Sequence, residues 1–424
     1  MKLKLQIKDT KILANAGVYV IEELIKKKRI KNYIDTLFPP RAKQANYSDS
    51  DLLLALTYSI ISGGTFLEDM NYIRQHLSNA YLELPSSDTI GYRARQLAVD
   101  TERHISQRGV EHFFNKNPVL NQVLSKLAVY LNPEFKQKGQ TLDYDNVLIT
   151  TERPDSRFSY KGTPSYHPGA LLIDRQPIYI EGRNGNSPPK FLMVDSLRRG
   201  FEVSLKNGIK IKAIRIDGAG YQEAVFTFLV EQYPEVKYYI RADKTDLGFC
   251  DEWQAASINK VNGEVLSIPW STPGVNGSPC RLVAWRKPKK SPQYDLFDGN
   301  YEYWLILTND WEKSAVEVIE FYNHRGTAEQ SFDIMKNDFN WRHLAFGNLK
   351  DNTVYLILTA MAYLIYRWIL RIICRYFPAL TPYTRIKRFI LYFLNVPGKW
   401  IRTARSVQLN LYTKQPYHQI LNPG

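Results

Sequence analysis

Cysteine is scarce in this chain, with three residues among 424 and none in a C-x-x-C spacing. That scarcity argues against a disulfide-stabilised fold and against a structural zinc site. The first eight residues alternate polar and apolar side chains, which is not the pattern of a secretion signal. Hydrophobic residues (44%) and charged residues (23%) occur at ordinary globular frequencies, so we expect two or three folded domains.

Long apolar runs are also absent. The most apolar run, 354–366, is shorter than the roughly 20 residues of a membrane-spanning helix. Arg367 and Arg371 interrupt its continuation. We therefore expect a buried helix in a cytoplasmic protein that has no membrane partner.

Acidic residues are missing from the C-terminal part of the sequence. Between residues 352 and 424 there are ten lysines and arginines and no aspartate or glutamate, and the whole chain carries a net charge of +14. This balance favours an anionic partner such as nucleic acid. The basic tail is either a solvated face or a track for DNA phosphates, and in the second case Arg367 and Arg371 bind DNA.

Helical signals dominate the first 135 residues. Ser48 and Ser86 are candidate N-caps, each followed by acidic residues and an apolar or basic helix pattern. The second of these helices is basic, so the pair is either a DNA-binding helix-turn-helix or part of a plain helical domain.

The periodicity changes near residue 140 to that of an α/β sheet, parallel in part. A β-rich insertion is predicted where the helix signal fades, and helix returns from about 312. The predicted strands are 141–149, 170–173, 177–180, 209–216, 237–240, 281–285 and 301–307. The predicted domains are a helical DNA-binding domain (1–135), a catalytic core in two parts (136–245 and 306–376), the insertion (246–305) and a basic helical C-terminal region (377–424).

The segment 321–336 contains four side chains with possible functional roles. If this segment is one helix, their angular positions around the helix axis, measured from Tyr322, are about 300° for Arg325, about 320° for Lys336 and about 340° for Glu329. All four side chains then lie on one narrow face. One interpretation is a solvated face with an Arg325–Glu329 pair. The other is phosphate chemistry, with a carboxylate for a divalent cation and two side-chain cations for phosphates.

Further carboxylates lie on predicted strands. Asp143 and Asp145 are two residues apart, so both point to the same side of the first strand. Asp217 ends another strand and precedes Gly218-Ala219-Gly220, whose small side chains leave room for a phosphate. Strand aspartates together with a helix glutamate are typical of a metal-binding acidic site.

The spacing Tyr322-x2-Arg325-x3-Glu329-x6-Lys336, with aspartates upstream, resembles the signature of bacterial insertion-sequence transposases that use an Asp-Asp-Glu triad. The resemblance covers roughly residues 140–376. It implies a ribonuclease-H-like core with a β-rich insertion between the second aspartate and the glutamate.

The resemblance also implies the site residues. Asp217 is then the second acid and Glu329 the third. At the first acid, Asp145-Asn146-Val147 replaces the family's Asp-x-Thr, which leaves both Asp143 and Asp145 as candidates. Asp145 is favoured because Asn146 and Thr150 supply polar groups after it, and Asp143 is the alternative.

Two Mg²⁺ ions, replaceable by Mn²⁺, are implied at these acids, with cut-and-paste cleavage and strand transfer as the reaction. Arg325 and Lys336 would bind phosphates, and Tyr322 would contact a phosphate or orient the terminal nucleotide. Trp285 or Trp304 would either hold an extruded base or pack in the core.

The implied partners are double-stranded DNA, as terminal inverted repeats and target, and a second copy of the chain in a homodimer on DNA. The implied location is the bacterial cytoplasm, at the nucleoid. Two other functions stay open: a structure-selective nuclease with the same core, and a catalytically inactive DNA-binding relic. The intact set of acids argues against the relic.

Overall fold

A computed structural model describes residues 3, 5–6, 12–79, 81–243, 247, 250, 252–275, 278–289, 301–403 and 407–422. Arg405, one of the ten cations of the basic tail, lies outside them. The chain forms two compact units. The first unit comprises Met1–Ala98, Ile334–Ala345 and Val354–Gly424, and the second comprises Val99–Asp333 and Phe346–Thr353.

The described helices, in chain order, are α1 Gly17–Lys27, α2 Ile30–Asp35, α3 Asp49–Ile61, α4 Asp69–Leu77, α5 Ser87–Leu97, α6 Pro118–Leu131, α7 Glu134–Gln137, α8 Met193–Lys206, α9 Glu223–Gln232, α10 Ala315–Asn323, α11 Gly326–Asp338, α12 Leu349–Ile373, α13 Ile386–Phe389 and α14 Tyr417–Leu421. A 3₁₀ turn occupies Gly218–Gly220 and a π-helical turn Ile390–Leu394.

The described strands are β1 Glu102–Ile105, β2 Glu111–Asn115, β3 Gln140–Asn146, β4 Ile149–Thr150, β5 Arg157–Phe158, β6 Pro164–Tyr166, β7 Gly169–Ile173, β8 Gln176–Arg183, β9 Ile211–Ile216, β10 Lys237–Arg241, β11 Gln254–Ile258, β12 Val261–Ser271, β13 Pro279–Pro288, β14 Tyr301–Thr308, β15 Gly398–Arg402 and β16 Val407–Leu411.

The first unit consists mainly of helices, and two of them begin at the N-cap residues that the sequence predicted. Ser48 begins α3 with a capping box, in which its hydroxyl accepts from the Asp51 N–H and the Asp51 carboxylate accepts from the Ser48 N–H. Ser86 caps α5 with a single bond, in which its hydroxyl accepts from the Thr89 N–H. A buried ion pair then joins these helices, because Arg93 donates to both carboxylate oxygens of Asp49 at 2.8 and 2.9 Å.

One described helix, α12, is long and apolar enough to cross a membrane by length and composition, but 89% of its most apolar window is buried within the protein. The prediction of a buried helix is therefore confirmed. The helix is longer than the apolar run suggested, since its 25 residues continue through Arg367 and Arg371.

The C-terminal region departs from the helical prediction. It contains the antiparallel hairpin β15–β16, in which Trp400 faces Leu409. Polar and apolar residues alternate along β16, which is the strand pattern, and this short alternation was missed among the basic residues.

An 11-stranded mixed sheet forms the second unit, in the order β1-β2-β8-β7-β3-β9-β10-β14-β13-β12-β11. Strands β3, β9 and β10 are mutually parallel, β7 and β8 are antiparallel neighbours on one side, and β14 is antiparallel to β10 on the other. The prediction of an α/β sheet, parallel in part, is confirmed. Strands β11–β14 extend it as a β-rich segment between Asp217 and Glu329.

Residues 102–115 were predicted to be helical, but they form the hairpin β1–β2 at the edge of this sheet. Gly109 adopts a φ of +76° in its turn, a conformation that suits glycine and ends a helix pattern. Tertiary pairing with β8 therefore overrides a weak local helix preference.

His167, between β6 and β7, gives the fold a sensitivity to acid. It is 4% exposed, and its Nδ1 donates to the Ser187 carbonyl at 3.0 Å. Burial lowers the pKa of His167 to about 4, below the unfolded value of about 6.5. Protonation therefore favours the unfolded chain.

We expect the free energy of unfolding to fall by about 3 kcal/mol as the pH decreases from about 6.5 to about 4. Urea denaturation at pH 7 and pH 4.5 measures this loss. His167→Gln should show a smaller loss over the same interval, and an equal loss would contradict the assignment.

Candidate active site

Two predicted acids lie side by side where parallel strands end. The register of β3 and β9 pairs Asp143 with Arg215 and Tyr144 with Ile216, so Asp145 and Asp217 come next on the adjacent strands. The carboxylate of Asp217 accepts the Ala219 N–H at 3.0 Å and caps the 3₁₀ turn. The small residues of that turn leave space beside the two acids.

The carboxylate of Asp145 is largely buried and has two hydrogen-bond donors. Its side chain is 12% exposed, and it accepts the Asn146 N–H at 2.8 Å and the Arg325 guanidinium at 3.0 Å. Burial raises the pKa of Asp145 to about 6, and the nearby Asp217 charge also raises it, while Arg325 opposes both. Two close carboxylates that disfavour each other's charge form a site for a cation.

Arg325 connects the strand acids to the helix acid. It is 11% exposed, and its guanidinium lies 3.0 Å from Asp145 and 3.6 Å from the Glu329 carboxylate. Burial alone would lower the pKa of Arg325, but the nearby Asp145, Tyr322 and Asp217 raise it by more. The pKa of Arg325 is therefore above its ordinary value. Glu329, in the first turn of α11, is 69% exposed and free to turn toward a ligand.

The segment 321–336 is not one helix, so the predicted angular positions of Tyr322 and Arg325 on a common helical face are wrong. α10 ends at Asn323 and α11 begins at Gly326. The intervening turn is tightened by i→i−3 bonds, from Arg325 N–H to the Tyr322 carbonyl and from Ala328 N–H to the Arg325 carbonyl, both at 2.8 Å. This turn, rather than a helical face, directs Arg325 at Asp145.

Tyr322 does not offer its side chain to solvent. It is 7% exposed, belongs to a hydrophobic cluster with Val283 and Trp285, and contacts the Ile216 carbonyl through its hydroxyl at 3.3 Å. Aromatic packing behind the sheet end encloses the ring. We therefore expect Tyr322 to support the turn that carries Arg325 rather than to contact DNA.

Of the two tryptophans, Trp285 is 6% exposed and packs in the same cluster as Tyr322, so core packing is its role. Trp304 is half-buried, with its ring centroid 4.8 Å from that of Trp285.

Sequence reasoning missed Arg215. Its guanidinium donates to both oxygens of Asp143 at 2.7 and 2.8 Å and to the Phe321 carbonyl at 2.6 Å. Asp143 is only 2% exposed, and this pair uses its carboxylate fully. An arginine within the otherwise apolar end of strand β9 was the available signal, because a buried cation needs a carboxylate partner.

The DNA-binding predictions on helices have different outcomes. Arg367 is 3% exposed, donates to the Tyr363 hydroxyl at 3.1 Å and lies 4.5 Å from the Tyr383 ring centroid. Because these contacts lie inside the first unit, we expect Arg367 to act in packing rather than in DNA binding. Arg371 is half-buried on the same helix, and Lys336 is half-buried on α11.

Arg367 and Arg371 provide a matched pair of variants. We expect Arg367→Gln to lower the free energy of unfolding by about 1–3 kcal/mol, because a buried hydrogen-bonded charge is lost, and to leave DNA affinity unchanged. Arg371→Gln should lower stability less than Arg367→Gln, because Arg371 is less buried, and should reduce the salt dependence of DNA binding. Urea denaturation and salt titration of DNA binding separate the two. A loss of DNA affinity in folded Arg367→Gln would contradict this assignment.

The residues of this site suit a hard divalent cation. Asp145, Asp217 and Glu329 offer only carboxylate oxygens, the donors that Mg²⁺ and Mn²⁺ prefer. Within the described part of the chain, no three acidic, histidine or cysteine side chains are already close enough to enclose a metal ion. Arg325 lies against Asp145 and Glu329 and supplies the positive charge there.

Neighbouring carboxylates that can hold divalent cations are a feature of metal-assisted phosphoryl-transfer enzymes. Residues 1–423 match the family model described as "Transposase DDE domain group 1". The chain therefore belongs to the DDE transposase family and is a DNA transposase, an enzyme of DNA phosphoryl transfer. Divalent metal ions are typical of this family.

Two solved structures are similar to this chain at low identity. The cryo-EM structure of a piggyBac transposase synaptic complex with hairpin DNA matches 88% of this chain and 77% of that chain, at 11% identity and a TM-score of 0.42. The Drosophila P element transposase strand transfer complex matches 58% of this chain and 53% of that chain, at 13% identity and a TM-score of 0.26. At these values neither structure bears on residue roles. No curated protein matches the chain.

Proposed function

We propose that this transposase excises its element by cut-and-paste, with Asp145, Asp217 and Glu329 as the catalytic acids. The observation that carries the proposal is the β3–β9 register, which makes Asp145 and Asp217 neighbours, together with Arg325 bridging to Glu329. The strand order β8-β7-β3-β9-β10 supports a ribonuclease-H-like core. Strands β11–β14 would be its insertion.

Asp145, rather than Asp143, is the proposed first acid. Asp143 is held in a buried bidentate pair with Arg215, whereas Asp145 faces Asp217 and Arg325. Both oxygens of Asp143 pair with Arg215, so a metal there would leave a buried arginine without its partner. Arg325 meets Asp145 through one oxygen and also has Glu329 at 3.6 Å, so Asp145 can exchange its contact at less cost.

Two Mg²⁺ ions held by the three acids would activate water and stabilise the leaving 3′ oxygen, with Mn²⁺ as a substitute. The chain's own residues do the rest. Asp145 and Asp217 are fixed by backbone N–H groups, which limits their movement when a ligand binds. Arg325, released from Asp145 and Glu329, would donate to the phosphate beside the cleaved bond. Lys336 would contact a phosphate further along the strand.

Recognition of the element ends is proposed for the helices of the first 135 residues and for the basic C-terminal region. Two ends must meet before joining, so a homodimer on DNA is proposed, acting at the bacterial nucleoid. If the helices begun by Ser48 and Ser86 (α3 and α5) act as a helix-turn-helix, α5 would be the helix that contacts DNA. Its Arg95 is exposed, whereas its Arg93 is buried in the ion pair with Asp49.

The experiment is incubation of the wild-type protein with Mg²⁺ and DNA that carries the element's end and a target. Cleavage to a free 3′-OH followed by joining is the expected result. Cleavage without joining would indicate the structure-selective nuclease. Specific binding without cleavage would indicate the inactive relic.

A further inference from the structure

Strands β15 and β16 form a narrow antiparallel ribbon, here called the C-terminal ribbon, with two different faces. Trp400 lies opposite Leu409, and Lys399 lies opposite Asn410. Successive residues of a strand alternate between its faces. Trp400 and Leu409 therefore share one face of the ribbon, and Lys399 and Asn410 share the other.

The Trp400 face packs within the first unit. The Trp400 ring centroid lies 5.1 Å from that of Tyr19 and 5.9 Å from that of Tyr81. Main-chain hydrogen bonds hold the start of the ribbon, since Gly398 and Leu13 each donate an N–H to the carbonyl of the other at 2.9 Å. Because this face is anchored, the surface that the ribbon can offer to a partner is the Lys399 face.

The Lys399 face is mostly polar and open to solvent. Lys399 and Gln408 are exposed, Ile401 is 39% exposed and Asn410 is half-buried. The Gln408 side-chain N–H donates to the Asn410 side-chain oxygen at 2.6 Å. This bond leaves the Gln408 side-chain oxygen as an acceptor and the Asn410 side-chain nitrogen as a donor, next to each other on one face.

The two ends of the C-terminal ribbon differ in exposure. The pair Arg402–Val407 belongs to the same face as Trp400, yet Arg402 is exposed and Val407 is 55% exposed. At this end both faces of the ribbon are therefore open to solvent. A two-stranded ribbon of this kind fits the major groove of B-DNA, which is about 12 Å wide.

The charge of the ribbon suits the phosphates that border such a groove. Lys399 and Arg402 are exposed, and the sequence has no aspartate or glutamate between residues 352 and 424. Cations on edge strands also disfavour pairing of the ribbon with another strand. Charge complementarity therefore favours DNA over a second copy of the chain as the occupant.

We propose that the C-terminal ribbon enters the major groove of duplex DNA and reads base edges with Gln408 and Asn410, an inference that rests on the proposed recognition of element ends. Their acceptor and donor complement adenine, whose edge there presents the N6 donor beside the N7 acceptor. Ile401, on the same face, would contact a thymine methyl group. Lys399 and Arg402 would bind the flanking phosphates and fix the register of the ribbon on the duplex.

Selection from a duplex library with 20 randomised base pairs, in the absence of metal, tests the proposal. We expect the wild-type protein to enrich a sequence that contains A·T pairs with a strong effect on affinity. Gln408→Ala combined with Asn410→Ala should bind the enriched duplex about 10-fold or more weakly and lose the preference at those pairs. Its affinity for a duplex of shuffled sequence should be unchanged.

Charge variants and a control variant separate base reading from phosphate binding. Lys399→Gln and Arg402→Gln should each lower the magnitude of the slope of log affinity against log salt by about 0.9 on both duplexes, and keep the base preference. Gln419→Ala removes an exposed amide of α14, outside the ribbon, and should change neither quantity. Circular dichroism melts that match the wild type establish that each variant is folded.

An unchanged base preference and affinity in the folded double alanine variant would overturn the proposal, as would a wild-type protein that enriches no sequence. A change of oligomeric state in the double alanine variant, seen by light scattering, would overturn it in favour of a second copy. The selection is independent of catalysis because metal is absent. Wild-type cleavage of element-end DNA separately tests the proposed function.

Discussion

Asp145→Asn is expected to reduce DNA cleavage about 1,000-fold or more, since losing a metal ligand removes several kcal/mol of transition-state stabilisation. Its stability should change little. Asp145 meets Arg325 through one carboxylate oxygen, and Arg325 also has the Glu329 carboxylate 3.6 Å away. The free energy of unfolding should therefore change by no more than about 1 kcal/mol.

Asp143→Asn is the matched control, two residues away on the same strand. We expect cleavage to fall only about 10–100-fold, as for a residue that orients others. Stability should fall by about 3–5 kcal/mol, because Arg215 is left buried without its partner. Adding Arg215→Gln should restore part of that stability.

Single-turnover cleavage and urea denaturation measure the two effects. The two variants should therefore rank in opposite order, with Asp145→Asn the less active and Asp143→Asn the less stable. If Asp143→Asn were stable and inactive while Asp145→Asn retained cleavage, Asp143 would be the first acid instead.

Arg325→Ala is expected to separate metal binding from turnover. The guanidinium lies between Asp145 and Glu329, so it competes with a cation for those carboxylates. A unit charge about 4 Å away at an effective dielectric of about 20 contributes several kcal/mol. Mn²⁺ affinity should therefore rise about tenfold or more. Cleavage should fall about 100-fold, because a charged donor to the reacting phosphate is lost.

Mn²⁺ affinity is measured by titration calorimetry in the absence of DNA, and cleavage under saturating metal. Arg325→Lys is the control: one ammonium cannot bridge both carboxylates, so both effects should be intermediate. Mn²⁺ affinity that falls in Arg325→Ala would show that Arg325 organises the acids rather than competing for them.

The sheet was readable from sequence because its central strands carry their own signals. The β-branched and aromatic runs around Ile214 and Tyr239 are buried on both faces, and such strands are almost continuously apolar. β11 and β12 were missed because their residues alternate irregularly and pair only with neighbouring insertion strands. β1 and β2 were missed because their structure depends on sheet pairing: β1 pairs with β2, and β2 pairs with β8, which is distant in sequence.

The site was readable only in part. Asp145 lies near the end of β3 and Asp217 directly after β9, as the strand patterns predicted, while their role as catalytic acids stays a proposal. The helix break at Arg325 was missed, although Asn323 and Gly326 flank it and both residue types favour a helix end; i→i−3 bonding forms the turn. Burial of Arg367 and Tyr322 depends on partners distant in sequence, Tyr383 for one and Val283 for the other. Charge and aromaticity alone could not separate packing from DNA contact.

Glu329→Gln tests the central claim most directly. Glu329 is 69% exposed and lies in the first turn of α11, so the amide should be tolerated without loss of folding or of DNA binding. The measurement is Mg²⁺-dependent cleavage of element-end DNA by wild type and Glu329→Gln at equal DNA occupancy. The account predicts cleavage by wild type and none detectable from the variant. Cleavage by Glu329→Gln at the wild-type rate would contradict it.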